Sequence, residues 1–174
     1  GSLVWSYNAQ SAIKSSPAIW NDSVVYFGDD NGYLHAVTAQ NGLTITGFPV
    51  WITYGVAEGG GKGGGGGGYL SAEIASGIAV DDVGYVYFVN SKGYIYAVTP
   101  EGVIKFSRQL WDPASAGYLS FIIFSSPVVL KNSTLWVLMP DGKLWAFVAK
   151  GGYNSTSWTK LLRNLQGTGN VKKE

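Results

Sequence analysis

The chain is built on a segment of about 28 residues that occurs three times. A glycine in the central turn aligns the copies, and these glycines, Gly32, Gly93 and Gly142, lie 61 and 49 residues apart. A repeat of this length is typical of proteins in which small supersecondary units stack and share a core. The copies read SSPAIWNDSVVYFGDDNGYLHAVTAQNG from Ser15, ASGIAVDDVGYVYFVNSKGYIYAVTPEG from Ala75 and SSPVVLKNSTLWVLMPDGKLWAFVAKGG from Ser125.

Each copy predicts three short strands separated by two turns. In the first copy the strands are an apolar run at 17–20, a β-branched and aromatic run at 24–27, and a third run at 33–37. The second turn ends in glycine, which supplies the positive φ that a tight hairpin requires. A small residue recurs in every third strand and would let a neighbouring sheet approach closely; it is Ala36, Ala97 or Ala146.

A fourth, more variable strand is predicted after each copy, at 43–52, 103–111 and 157–162. Four antiparallel strands of this size form one blade of a β-propeller. The predicted fold is therefore all-β, with three four-stranded blades plus an additional N-terminal strand at 3–7. Since closed propellers have about four to eight blades, three make an incomplete ring.

Three explanations of the incomplete ring remain open. The chain is part of a larger propeller, or two copies pair into a six-bladed ring, or the spare N-terminal strand completes a blade in another chain. We expect one propeller-type domain over 1–166, with blades at about 15–58, 69–112 and 121–165. A flexible tail is expected over 167–174.

Residues 59–68 consist of nine glycines and Lys62. Without this tract the two repeat spacings become nearly equal, so we expect a flexible linker or insertion between blades, natural or engineered. A phosphate-binding loop is not favoured, because Lys62 is followed by glycine and no helix is predicted after it.

The composition narrows the classes of function. Hydrophobic residues make up 46% of the chain and charged residues 13%, and the net charge of +1 gives no basic patch for nucleic acid. No apolar run approaches the roughly 20 residues that span a bilayer. The absence of cysteine excludes disulfides and thiolate metal sites.

Three Asn-x-Ser/Thr sequons are candidate N-glycosylation sites, at Asn21, Asn132 and Asn154. Together with the scarcity of charged residues, they favour a protein outside the cytoplasm, whether secreted, luminal or at the cell surface.

Candidate catalytic groups are few. The only histidine, His35, lies at a strand position where the other copies carry Tyr96 and Trp145, which favours a packing role. The acidic run at 29–32 is similar to the start of a calcium loop, but the distal Glu and flanking helices are missing, so a hairpin turn is predicted. We predict no catalytic, cofactor-binding or metal-binding residue and expect no cofactor.

The repeat resembles a known family through its SSP and apolar start, its V-Y-F-G-x-D-x-G-Y-L-x-A-V centre and its final glycine. It is similar to the blade repeat of the PQQ-like (quinoprotein alcohol dehydrogenase-like) β-propellers, over about residues 3–165. That family includes quinoprotein dehydrogenases, outer-membrane assembly lipoproteins and the luminal sensor domains of unfolded-protein kinases. The stretch 47–50 is also similar to a fragment of FG-GAP-type propeller repeats.

The dehydrogenase members of that family carry a blade-end signature with Ala-x-Asp, Thr-Gly and a downstream Trp. In this sequence Thr38 and Thr99 stand at the Asp position, and the Trp is missing at the expected offset after Gly42. The resemblance therefore implies the blade fold, and these departures argue against binding of PQQ.

The sequence favours a non-enzymatic propeller scaffold that mediates protein–protein interaction or assembly, through a protein partner or self-association. Two alternatives remain open: a fragment of a quinoprotein-type oxidoreductase whose active-site blades lie elsewhere, and a carbohydrate-binding propeller. Aromatic residues outside the strands of the repeat are the candidate interface. They are Trp5, Trp111, Tyr118, Phe121 and Trp158.

Overall fold

The computed structural model describes residues 1–54, 70–74, 76–112, 125–130 and 132–150. These residues form strands, turns and extended segments, and none of them belongs to a helix that could cross a membrane. The strands are β1 (Ala18–Trp20), β2 (Val24–Gly28), β3 (Tyr33–Thr38), β4 (Val50–Trp51), β5 (Thr53–Tyr54), β6 (Leu70–Ser71), β7 (Ala79–Val80), β8 (Val86–Val89), β9 (Tyr94–Val98), β10 (Ile104–Gln109), β11 (Val128–Val129), β12 (Thr134–Leu138) and β13 (Leu144–Val148).

The strands form three antiparallel meanders, one for each copy of the repeat. The first blade is the sheet β1-β2-β3-β4, and the second is β7-β8-β9-β10. The third blade comprises β11-β12-β13, and its predicted fourth strand at 157–162 lies outside the described residues. The predicted all-β architecture of propeller blades is confirmed.

The hairpin turns adopt the geometry that their glycines predict. Gly32, Gly93 and Gly142 have φ values of 81°, 76° and 81°, in the region that favours glycine. At the first of these turns the Oδ1 atom of Asp29 accepts the backbone N–H groups of Asn31 and Tyr33, both at 2.9 Å. The acidic run at 29–32 is therefore a hairpin turn, and its carboxylate satisfies backbone donors.

The N-terminal segment, residues 1–14, differs from its prediction. Residues 3–7 form no strand, and no backbone ladder of the described residues includes them. Side chains hold residues 3–7 instead: the Nε1 atom of Trp5 donates to the carbonyl oxygen of Ala39 at 2.9 Å, and the Trp5 ring lies against Gly42. Further along the segment, the carbonyl oxygen of Ala12 accepts the backbone N–H of Asp30 at 2.9 Å.

The fourth strand of the first blade is shorter than predicted. Of the predicted stretch 43–52, only the two residues of β4 form a strand that pairs with β3, and Thr44 adds an isolated bridge to Val37. The interruption follows from the residues between them, since Gly47 has a φ of 92° and Pro49, after a cis peptide bond, has no backbone N–H for a ladder.

The residues on either side of the glycine tract are neighbours in space. Thr53 pairs with Ser71 and Tyr54 with Leu70 in a two-stranded sheet. The linker or insertion predicted at 59–68 lies outside the described residues and stays a prediction.

We predict that Gly47→Ala destabilises the protein much more than Gly142→Ala. Both glycines have positive φ, so alanine at either position costs about 1 kcal/mol. A Cβ at Gly47 would also collide with the backbone carbonyl of Glu101 in the second blade, whereas one at Gly142 meets nothing within 4 Å. We expect a total cost of about 3 kcal/mol for Gly47→Ala, measured by urea unfolding.

Equal losses of stability in the two variants would contradict the close approach of the first two blades at this point.

Candidate functional site

A row of three side chains crosses each blade and points towards the next one. The row joins a small residue on the first strand, an aromatic residue on the second and alanine on the third, because strand register places these positions side by side. The three rows are Ala18–Tyr26–Ala36, Ala79–Tyr87–Ala97 and Val128–Trp136–Ala146.

The first two rows are buried between blades. Ala18, Tyr26 and Ala36 pack in one apolar cluster with residues of the second blade. Ala79, Tyr87 and Ala97 pack in a second cluster with residues of the third blade. The small residue predicted in each third strand thus does let a neighbouring sheet approach in the first two blades. The facing residues of the next blade are Val80, Val86, Phe88, Tyr96 and Val98 in the first interface, and Val129, Leu135, Val137, Trp145 and Phe147 in the second.

The third row lies on a face that no described residue covers. Trp136 is 36% exposed, Leu138 55% and Leu144 52%, and Ala146 is also exposed. These four residues, named here the open face, alternate along β12 and β13 with residues that are buried or half-buried against the second blade. The open face therefore presents the positions that the first two blades bury in their contact with the next blade.

The opposite end of the described arc is covered. The face of the first blade that points away from the second blade contains Phe27, His35 and Val37, all of them buried. Tyr7 of the N-terminal segment packs edge-on against Phe27 and His35, with ring centroids 5.6 Å apart in both pairs. The N-terminal segment thus takes the place that a preceding blade would occupy.

The most concentrated polar group of the described residues lies beneath this cover. The Nε2 atom of His35 is 3.0 Å from Oδ2 of Asp29, and its Nδ1 atom is 3.2 Å from the hydroxyl oxygen of Tyr7. The His35 ring also stacks on Phe27, with ring centroids 5.0 Å apart. Both Asp29 and His35 are almost wholly buried, so this group fixes the packing of the first blade and is closed to a substrate.

The equivalent positions differ in the other two blades. In the second blade Asn90 donates from Nδ2 to the hydroxyl of Tyr96, which in turn donates to the carbonyl of Thr53. In the third blade Met139 and Trp145 stand there, and the buried Nε1 atom of Trp145 has no hydrogen-bond partner among the described residues. The polar pair is thus absent from the third blade.

The structure places two of the five predicted interface residues. Trp5 is half-buried against the first blade through its contacts with Ala39 and Gly42. Trp111 is half-buried and packs against the cluster between the second and third blades. Tyr118, Phe121 and Trp158 lie outside the described residues.

Two of the three predicted glycosylation sites are exposed turn residues. Asn21 has a φ of 49° in the turn between β1 and β2. Asn132 lies in the equivalent turn of the third blade, where its Oδ1 atom accepts the backbone N–H of Thr134 at 3.3 Å. Asn154 lies outside the described residues. Within the described ranges no three His, Asp or Glu side chains come together as a metal site.

Sequence reasoning did not single out the open face. Trp136, Leu138 and Leu144 belong to strands whose counterparts in the first two copies are buried, so their pattern alone predicts core residues. The available signal was the number of copies, because three blades are fewer than the roughly four to eight of a closed propeller.

Comparison with known proteins supports the fold. No protein-family model matches the sequence, and no curated protein matches it significantly. Among solved structures, the crystal structure of BamB from Moraxella catarrhalis is similar to this chain, with a TM-score of 0.60 and 18% sequence identity. The match covers 86% of this chain and 38% of BamB, so the chain spans well under half of that protein's length.

This similarity and the three meanders together define the class of protein. The chain has a β-propeller-like fold, of which three blades are described here. At 18% identity the likeness to BamB concerns the fold alone.

The buried tyrosines of the inter-blade rows predict a loss of stability at alkaline pH. Burial raises the pKa of the Tyr26 phenol above its ordinary value near 10, and the charge of Glu101 adds to the shift. The folded state thus keeps a proton that the unfolded chain releases, so Tyr26 contributes full stability below about pH 10 and loses it as the pH rises further. We expect the melting temperature to fall between about pH 9 and 11, and to fall less steeply in Tyr26→Phe.

A melting temperature that falls equally in Tyr26→Phe and in the parent protein would contradict burial of this hydroxyl. Tyr87→Phe provides a contrast, because the Tyr87 hydroxyl donates to Oδ2 of Asp81 and accepts from the backbone N–H of Lys150. This second variant should lose stability at neutral pH as well.

Proposed function

We propose that this chain is a non-enzymatic propeller scaffold for protein assembly, and that a further propeller blade docks on its open face. In preparations of this chain alone, the open face of a second copy takes that role. The observation that supports this proposal is the third cross-strand row, whose counterparts in the first two blades are buried in inter-blade contacts.

The chemistry of the open face suits a permanent contact better than a solvent boundary. Trp136, Leu138 and Leu144 are large and apolar, and on the two antiparallel strands Leu138 pairs with Leu144 and Trp136 with Ala146. Burying one such side chain fully contributes about 1.5–3 kcal/mol. The charged residues of the same hairpin, Asp141 and Lys143, pair with each other at its turn, 2.8 Å apart, away from the apolar centre.

The described polar residues support a scaffold over an enzyme. The histidine–aspartate pair is buried beneath the N-terminal segment, and Asp81 and Asn90 are likewise buried in hydrogen bonds to tyrosine hydroxyls. Each of these side chains is therefore engaged in holding strands or blades together.

We also propose that the protein acts outside the cytoplasm. The exposed turn positions of Asn21 and Asn132 leave room for glycans at one end of the first and third blades. Neither position lies on the open face, so glycosylation there is compatible with docking of a further blade.

We predict that Leu144→Glu abolishes self-association of the chain. A carboxylate on the open face would be desolvated without a partner on docking, which costs several kcal/mol. Sedimentation velocity over a range of protein concentrations measures the effect: the parent chain should shift from monomer to a larger species, and Leu144→Glu should remain monomeric.

Leu43→Glu is the matched control. Leu43 is also an exposed leucine, but it lies in the turn after β3 of the first blade, away from the open face. This control should associate like the parent chain. If the parent chain is monomeric at every concentration, or if Leu43→Glu dissociates it equally, the open face is not the docking surface.

A further inference from the structure

A cavity of about 370 Å³ lies between the second and third blades. Its walls are mostly apolar and include Ala97 and Phe106 of the second blade and Leu135 and Phe147 of the third. The two phenyl rings contact each other at a tilt of 58°, with centroids 6.0 Å apart. A cavity of this volume is at the lower end of the range for small-molecule sites.

The two inter-blade contacts differ in how closely the fourth strand of the blade is packed. In the first contact Gly47 lies directly against the backbone of Glu101, and the next residue, Phe48, is 8% exposed. In the second contact Phe106 pairs with Ala97 and follows Lys105 at a register shift of β10, and Phe106 is 40% exposed. The second contact is therefore open beside Phe106, whereas Phe48 is buried in the first.

The charges at the cavity also differ from those of the first contact. Counted from the aligned third strands, Lys150 occupies the position of Glu101. Lys105 and Lys150 both line the cavity and both are exposed, and neither forms an ion pair with a described residue. Two cations at one opening repel each other, and an anion held between them would relieve this repulsion.

The wall beside these lysines is held in place by hydrogen bonds. The Tyr87 hydroxyl, which lines the cavity, donates to Oδ2 of Asp81 and accepts from the backbone N–H of Lys150, both at 2.9 Å. The cavity is therefore preformed on one side, which lowers the ordering cost of binding.

From this geometry we propose that the cavity binds a small amphipathic anion, namely a single aromatic group that carries a carboxylate. The aromatic part lies on the apolar wall beside Phe106 and Phe147, and the carboxylate contacts the ammonium groups of Lys105 and Lys150. The proposal concerns a contact inside the arc of blades and is independent of docking on the open face.

Calorimetric titration of the full chain with 2-naphthoate tests this site. We expect a Kd between about 10 μM and 1 mM, as for a ligand of this size in a partly preformed site. The uncharged analogue 2-naphthalenemethanol should bind at least about fivefold more weakly, because it cannot pair with the two lysines. Lys105→Gln and Lys150→Gln should each weaken binding of 2-naphthoate by about fivefold.

Lys143→Gln is the matched control, since Lys143 is an exposed lysine of the third blade that pairs with Asp141 and does not line the cavity. It should bind 2-naphthoate like the parent chain. Absence of binding, equal affinity for the acid and the alcohol, or equal loss in all three lysine variants would each overturn the proposal. These surface substitutions leave the apolar core intact, and circular dichroism confirms that each variant is folded.

Discussion

The contact between successive blades is the interaction on which the rest of this structure depends. A single blade is a small meander with two faces, and both must be covered before its aromatic residues leave water. The cross-strand rows centred on Tyr26 and Tyr87 are each buried against the next blade. The small neighbours let the next sheet approach closely, and the aromatic ring supplies most of the buried apolar area.

The outer faces of the first and third blades differ in whether described residues cover them. At the first blade the N-terminal segment covers the free face, with Tyr7 on His35 and Trp5 on Gly42. At the third blade no described residue covers Trp136, Leu138 or Leu144. This asymmetry is the reason why the proposed docking of a further blade involves the third blade and not the first, whose free face is covered by the N-terminal segment.

Much of the fold was predictable from the sequence, because the same pattern of strands and turns recurs in each copy of the repeat. The alternation within each copy and the turn glycines predicted the hairpins, and Gly32, Gly93 and Gly142 have the positive φ that was expected. The N-terminal segment was mispredicted as a strand. Its aromatic and β-branched residues suit a ladder, and only the folded structure shows that Trp5 and Tyr7 act as side-chain anchors on a sheet face.

The functional surfaces were less predictable, for a physical reason. A repeat makes equivalent residues look alike, whereas the environment of each copy depends on its neighbours. Trp136 reads as core in the sequence, as Tyr26 and Tyr87 do, yet it is exposed because it belongs to the last described blade. Likewise, the sequence does not show that Lys105 and Lys150 line the same cavity, because they belong to different blades.

Thiol reactivity on the open face tests the central claim most directly. The chain has no cysteine, so Leu144→Cys introduces a unique probe, and Leu43→Cys introduces a matched one at an exposed site elsewhere. The rate of reaction with a disulfide reagent is measured as the protein concentration is raised through association. The account predicts slower reaction at position 144 and an unchanged rate at position 43. A rate at position 144 that does not change with concentration would contradict it.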